Sequence, residues 1–336
     1  TFADPDGVSG NATLNGTVTT IAPNPPLPGN TIYVDDVGTN GNGSSASPFN
    51  SIPNALNAAT AGDTIYVRPG TYPAFTVSKS GTASGYIAIV GESRDQVLIQ
   101  GSSNNNIDVN ANYIQLKNLR LKQSSHNSIV IGGNNHVWLE NLYHENISSS
   151  CSYDDAGVLV SNSNNIYILN NQFYSQSLTN CTVPGTPWDQ SGEAIYVGSG
   201  VSSLVIKGNI MDGGFRDCIG NSPEDWGGGA LDNSDIAYNT ISNCRDDSIQ
   251  MEGDDVNLRI YGNDVSSNKG QSALALQPNL VGPVYVFRNI LRETANGGSY
   301  ALKLDNPGIQ FFFHNTLETT CNACDGFAGG GVDQYV

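Results

Sequence analysis

The sequence predicts an all-β chain wound as a parallel β-helix, a solenoid of about nine to ten coils with an N-terminal capping helix and an extended N-terminal arm. Three observations predict it. Short alternating β runs recur along most of the chain, and each ends in an Asn. A second short apolar strand opens most of the repeating units. After Asp63 no segment carries helical periodicity.

The elements follow in chain order. Residues 1–30 form the arm: Ala12 to Ile21 has strand chemistry, and the Pro-rich run from Pro23 to Gly29 is a stiff extended linker. From Ser51 to Thr60, Ile52, Leu56 and Ala59 fall at helical spacing and give the one short amphipathic helix. The repeat then takes over, as in Val205-Ile206-Lys207-Gly208-Asn209, Arg259-Ile260-Tyr261-Gly262-Asn263 and Tyr285-Val286-Phe287-Arg288-Asn289. The register Asn residues are 118, 141, 171, 209, 239, 263, 289 and 315, in steps of 23, 30, 38, 30, 24, 26 and 26. Opening strands include Ile129-Val130-Ile131, Val158-Leu159-Val160, Ile195-Tyr196-Val197, Ile249-Gln250-Met251, Leu274-Ala275-Leu276 and Leu302-Lys303-Leu304. Two or three short strands per coil of about two dozen residues is the arithmetic of a parallel solenoid. Asn suits its bends, because it tolerates left-handed backbone and its amide can bond the same amide one rung away. The solenoid is expected over 31–320, with a Gly-rich tail at 321–336.

Composition narrows the function classes. Fourteen Lys and Arg against 31 Asp and Glu give a net charge of -17, which repels phosphate backbones and anionic lipid, so nucleic-acid partners fall away. No apolar run approaches the ~20 residues of a membrane-spanning helix, so no membrane insertion is expected. Six cysteines suit an oxidising compartment. Five N-x-S/T sequons, at Asn11, Asn15, Asn42, Asn146 and Asn180, permit glycosylation. The start at Thr1 lacks a Met and an apolar signal core, as after signal-peptide removal, so the expectation is a secreted, extracellular or cell-surface protein. Cys151 and Cys181 each lie ten residues after a register Asn, and Cys218 and Cys244 follow Asn209 and Asn239 in the next pair. Stacked positions one strand spacing apart are within bridging distance, which predicts Cys151–Cys181 and Cys218–Cys244, with a local Cys321–Cys324.

The run Gly38-Thr39-Asn40-Gly41-Asn42-Gly43-Ser44, the short helix, and Gly62-Asp63-Thr64-Ile65-Tyr66-Val67-Arg68-Pro69-Gly70-Thr71-Tyr72 resemble the opening of secreted right-handed parallel β-helix proteins, the pectate-lyase-like superfamily. The resemblance implies a right-handed coil over about 31–320. It implies no single activity, since that superfamily includes lyases, hydrolases, epimerases and adhesins. Its polygalacturonase-like hydrolases pair an Asp-Asp with Gly-His-Gly and Arg-Ile-Lys. Here Asp246-Asp247 is present, but His126 and His314 sit in Ser-His-Asn and Phe-His-Asn. Its lyases use Lys or Arg to abstract a proton and to bind uronate carboxylates.

Two clusters could carry chemistry. Three long steps place insertions at about 145–155, 175–192 and 212–228, expected to stack as one wall bearing Tyr153, Trp188 and Trp226 among carboxylates, which suits sugar stacking. Aligning the opening strands puts Asn127, Ala156, Glu193, Asp247, Ser272 and Tyr300 in one column, beside an outward column with Tyr196, Gln250 and Lys303. Glu193 and Asp247, two coils apart, lie on the order of 10 Å from one another, near the spacing an inverting glycosidase needs. Asp246 belongs to the same cluster, and Lys303 is its candidate base for β-elimination. Glu252, Asp254 and Asp255 are acids suited to Ca²⁺, although the fold itself requires no cofactor. Two function classes follow. A structural protein would assemble with copies of itself through the strand-capable arm, into an extracellular surface structure or filament; this reading is preferred. The alternative is a polysaccharide-degrading hydrolase or Ca-dependent lyase, or a glycan-binding protein, in which Glu193, Asp247 and Lys303 face solvent.

Overall fold

The computed structural model describes residues 29–101, 104–146, 155–174, 192–221, 231–267, 271–294, 300–304, 308–320 and 325–328. The arm at 1–28, the loops carrying Tyr153, Trp188 and Trp226, and Cys151, Cys181, Cys321 and Cys324 therefore lie outside the described residues, as do the sequons at Asn11, Asn15 and Asn180.

Within them the chain coils through three parallel sheets of 12, 10 and 10 strands. One coil shows the pattern: Glu193–Val197 lies in the third sheet, Val201–Lys207 in the first and Ile210–Asp212 in the second. Alternation along each strand turns one set of side chains inward, so equivalent residues of successive coils stack. In the third sheet Ile129, Val158, Ile195, Ile219, Ile249, Leu274 and Leu302 form one such column, and all are buried. Each contributes about 1.5–3 kcal/mol of apolar burial. At the far end of this sheet Asp325–Ala328 pairs with Tyr300–Leu304, so the coil continues past the expected boundary at residue 320.

The helix forms over Ile52–Ala58, where the sequence placed it. Ser51 caps its first turn by accepting from the Asn54 amide at 3.3 Å, and Ile52, Ala55 and Leu56 are buried beneath it. It closes the N-terminal end of the solenoid.

The Asn repeat resolves into two columns. Asn171, Asn209, Asn239, Asn263, Asn289 and Asn315 form a ladder in which each side-chain Nδ2 donates to the next Oδ1 at 2.9–3.1 Å. All but Asn315 are fully buried. Asn118 and Asn141 are not members. Strand register places them one residue earlier, with Asn170, in the column that takes left-handed backbone, at φ 56°, 51° and 55°. Their coils fill the ladder position with buried Leu119 and Leu142 instead. The expected register was therefore off by one residue at its start, because an Asn serves either column.

Candidate active site

The loops expected to stack as one wall lie mostly outside the described residues. Those at 147–154 and 175–191 enter between the second and third sheets, whereas 222–230 separates the third sheet from the first. The outward face of the third sheet is the floor of the candidate site. Tyr196, Gly220, Gln250, Ala275 and Lys303 stack along that floor in register. Gly220 leaves a gap between Tyr196 and Gln250, since a Cβ there would press to 3.2 Å on both Asp217 and Glu193.

The position two residues before the core Ile column carries acids. Register gives Glu193, Asp217, Asp247, Ser272 and Tyr300, so a carboxylate missed in the sequence stands between the two expected ones. The signal was present as an acid two residues before a core Ile, at 193/195, 217/219 and 247/249. Glu193, Asp217 and Asp247 are all buried rather than solvent-facing. Arg216, itself 4% exposed, holds the first two: its guanidinium donates to Glu193 Oε1 at 2.5 Å and lies 3.1 Å from Asp217 Oδ2. That pairing assigns Glu193 to a buried ion pair and away from the reacting face.

Asp217, Asp246 and Asp247 converge, with one oxygen from each within 4.8 Å of the others. Their placement has a local cause. Asp217 Oδ1 accepts from the Asp247 amide at 2.9 Å, and the Asp246 amide donates to the Arg216 carbonyl at 2.9 Å, so two successive coils are pinned side by side. Burial, with Glu193, Asp247 and Asp246 nearby, pushes the Asp217 carboxyl well above the usual carboxylate range against the opposing pull of Arg216. Three close carboxylates with one guanidinium are short of positive charge, and an all-oxygen donor set suits a hard divalent cation such as Ca²⁺. Glu252, Asp254 and Asp255 do not make this centre. Asp255 is fully buried and accepts from the Leu231 amide at 3.0 Å, while the Glu252 backbone is tied to the Asn221 side chain. Burial pushes Glu252 up to about 7.

Lys303 reaches from the floor to the cluster, donating to Asp247 Oδ2 at 3.2 Å. Burial pulls its amine down, but Asp247, Glu252 and Asp246 outweigh that and hold its pKa above the ordinary value. Ser272 Oγ donates to the other Asp247 oxygen. Of the glycan-binding candidates, Tyr196 is in place on the floor, half-buried. Cys218 and Cys244 are bridged as expected, with Cα atoms 5.7 Å apart. Of the two described sequons, Asn42 is exposed and its Oδ1 accepts from the Ser44 amide, and Asn146 is half-buried in left-handed backbone.

No curated protein sequence matches the chain. Among solved structures it is similar to a pectate lyase, Pel9A, at 13% identity and a TM-score of 0.51, covering 90% of this chain and 80% of that one. It is also similar to a tailspike protein mutant of E. coli bacteriophage HK620 in complex with a hexasaccharide, at 12% identity and a TM-score of 0.55, covering 89% of this chain and 55% of that one. These likenesses show the fold. A family model described as the Pel9A-like right-handed β-helix region matches residues 32–244, well over half of the sequence. The chain belongs to the Pel9A-like right-handed β-helix family.

Proposed function

We propose that the protein is a cation-dependent lyase that cleaves an acidic polysaccharide by β-elimination on the outward face of the third sheet. The carrying observation is the convergence of Asp217, Asp246 and Asp247 beside the amine of Lys303. Family membership supports it, and one structural neighbour is itself a pectate lyase. The charge of -17 works against a polyuronate at long range, and a divalent cation at the cluster would reverse that field only locally. A divalent cation held there, when bound, would supply positive charge facing a substrate carboxylate and acidify the adjoining C–H.

The chain's own residues account for the rest. Asp217, Asp246 and Asp247 would hold the cation that the sugar carboxylate faces. Lys303, within reach of the same cluster, takes the proton α to the carboxylate onto Nζ. The freed electron pair forms the C4–C5 double bond, the C4–O bond breaks, and the leaving oxygen takes a proton from water. Lys303 must be neutral to act, so loss of its Asp247 partner to a ligand favours the reaction. The floor residues Tyr196 and Gln250 offer a ring face and an amide to neighbouring sugars. The disulfide supports a site of action in an oxidising, extracytoplasmic compartment. Assembly through the arm has no support among the described residues.

The test is incubation with polygalacturonate, alginate and neutral glucans, with Ca²⁺ or with EDTA, following the ultraviolet absorbance of the unsaturated product. Cation-dependent absorbance on an acidic glycan, lost in Lys303→Ala and Asp217→Asn, is expected. Cleavage without that chromophore would point to hydrolysis, and inactivity on every glycan would sink the lyase reading.

A further inference from the structure

The second sheet carries a groove of its own. It has a volume of ≈ 420 Å³ and is lined by Tyr143, Gln172, Phe173, Tyr174, Ile210 and Asp212. Register explains it. The outward positions of this sheet form two columns, one with Arg120, Tyr143, Gln172, Ile210 and Thr240, the other with Lys122, Glu145, Tyr174, Asp212 and Ser242. Two rings and an aliphatic side chain thus stand outward on three successive rungs, and Ile210 is 46% exposed. Beyond them the short Thr240 and Ser242 leave the groove open. On the other side the guanidinium groups of Arg120 and Arg94 lie 5.4 Å and 5.7 Å from the centre of the Tyr143 ring and hold it in place. Buried Phe173 closes the bottom.

Size and chemistry name the occupant. Six lining residues are far fewer than the about 20–30 a side that a stable protein interface uses, whereas the volume is that of a small-ligand site. Rings beside an amide and a carboxylate suit a sugar, whose C–H face stacks on a ring while its hydroxyls bond the polar groups. Gln172 offers both a donor and an acceptor. Asp212 offers acceptors, with Oδ1 already held by Ser242 Oγ at 3.1 Å. Charge then selects an uncharged sugar. Three cations, Arg94, Arg120 and Lys122, stand near three carboxylates, Asp95, Glu145 and Asp212, so the local charges cancel. Arg120 and Lys122 are paired with Glu145 and Arg94 with Asp95, and the one charged group that lines the groove itself is Asp212. A uronate finds no net attraction here, and the charge of -17 repels it at longer range.

We propose that this groove binds a short stretch of a neutral glycan, with Tyr174 stacked on a sugar face and Gln172 and Asp212 bonded to its hydroxyls. Its role is attachment, holding the protein on neutral polysaccharide. The groove lies on a different sheet from the acid cluster and takes an uncharged ligand, so the inference stands apart from the proposed activity.

Methyl-resolved NMR of the full chain in EDTA tests it, with cellohexaose, xylohexaose and hexagalacturonate as probes. The expected result is a shift of the Ile210 methyl resonances on adding a neutral hexasaccharide. Affinity measured by calorimetry should fall at least about tenfold in Tyr174→Ala and in Ile210→Glu, with thermal melts in parallel confirming that each variant folds. Ile210 methyls that respond to neither neutral probe overturn the inference, and so does unchanged affinity in both variants. Tighter binding of hexagalacturonate at the same methyls also overturns it, since the groove would then select charge. Failure to cleave any acidic glycan bears on the proposed activity alone.

Discussion

Replacing Asn263 with Leu interrupts the ladder at its most buried stretch, and the cost can be worked group by group. Asn263 Oδ1 accepts from both the Asn239 amide and Asn239 Nδ2 at 3.0 Å, and its Nδ2 donates to the Ile236 carbonyl and to Asn289 Oδ1 at 2.9 Å. After substitution Asn239 Nδ2 keeps Ile206 and Asn289 Oδ1 keeps the Asn263 amide. The Asn239 amide is left buried without a partner, at about 1–3 kcal/mol, whereas the Ile236 carbonyl keeps its ladder bond from the Tyr261 amide. The three other lost bonds add about 0.5–1 kcal/mol each and leucine's extra apolar burial offsets about 1–2 kcal/mol, so the net loss is about 1–4 kcal/mol. Asn315→Leu is the internal control: its site is half-buried, water can replace the lost partners, and about 1 kcal/mol is expected. Urea unfolding followed by circular dichroism measures both. If Asn263→Leu unfolds within about 0.5 kcal/mol of the unmodified protein, the ladder's bonds do not act as stabilising contacts and the reasoning is wrong.

Three further outcomes are expected. His144 is fully buried, stacked 4.3 Å from Phe173 with both ring nitrogens lacking a partner, and burial pulls its pKa down to about 3. The folded state therefore refuses a proton that the unfolded chain takes below about 6.5, so stability falls by about 1.4 kcal/mol per unit as pH drops from 6.5 toward 3; His144→Leu should flatten that slope in pH-dependent melts. Removing the bridge in Cys218→Ala/Cys244→Ala, which closes a separation of 26 residues, should cost roughly 3.5 kcal/mol on the chain-entropy estimate, read by urea midpoint against the oxidised parent. Arg216→Met leaves Glu193 and Asp217 buried without their guanidinium and should cost about 3–5 kcal/mol, with Glu193→Gln in the same background restoring part of it; equal stability of Arg216→Met and the parent would show the pair to be dispensable.

The coil was legible because each rung repeats the same physical demand. Inward Ile, Leu and Val, a bend Asn and an outward polar residue recur at nearly constant spacing, so three strands per coil and the Cys218–Cys244 bridge could be read from register alone. The site was only half legible. Asp246, Asp247 and Lys303 were placed together, yet Asp217 was passed over because its strand, Ile219–Asn221, is short and interrupted by Gly220. Glu193 looked like a reactive acid because its partner, Arg216, belongs to the next coil, and no local pattern announces a contact 23 residues away. Solvent exposure failed for a related reason: Glu193 is covered by Arg216, and Asp247 by Ser272 and Lys303, all contributed by later coils.

The Cys218–Cys244 disulfide sits beside the crowded carboxylates of Asp217, Asp246 and Asp247. Cys218 directly follows Asp217, and Cys244 stands two residues before Asp246, so the covalent link joins the two coils whose carboxylates crowd together. Like charges on adjacent rungs push the seam apart, and hydrogen bonds there would yield by lengthening. A sulfur bridge does not lengthen, so the carboxylates are kept at ligand spacing whatever the local charge. A cation proposed to bind there would come and go without the solenoid opening and closing around it, and reducing agents should loosen this seam.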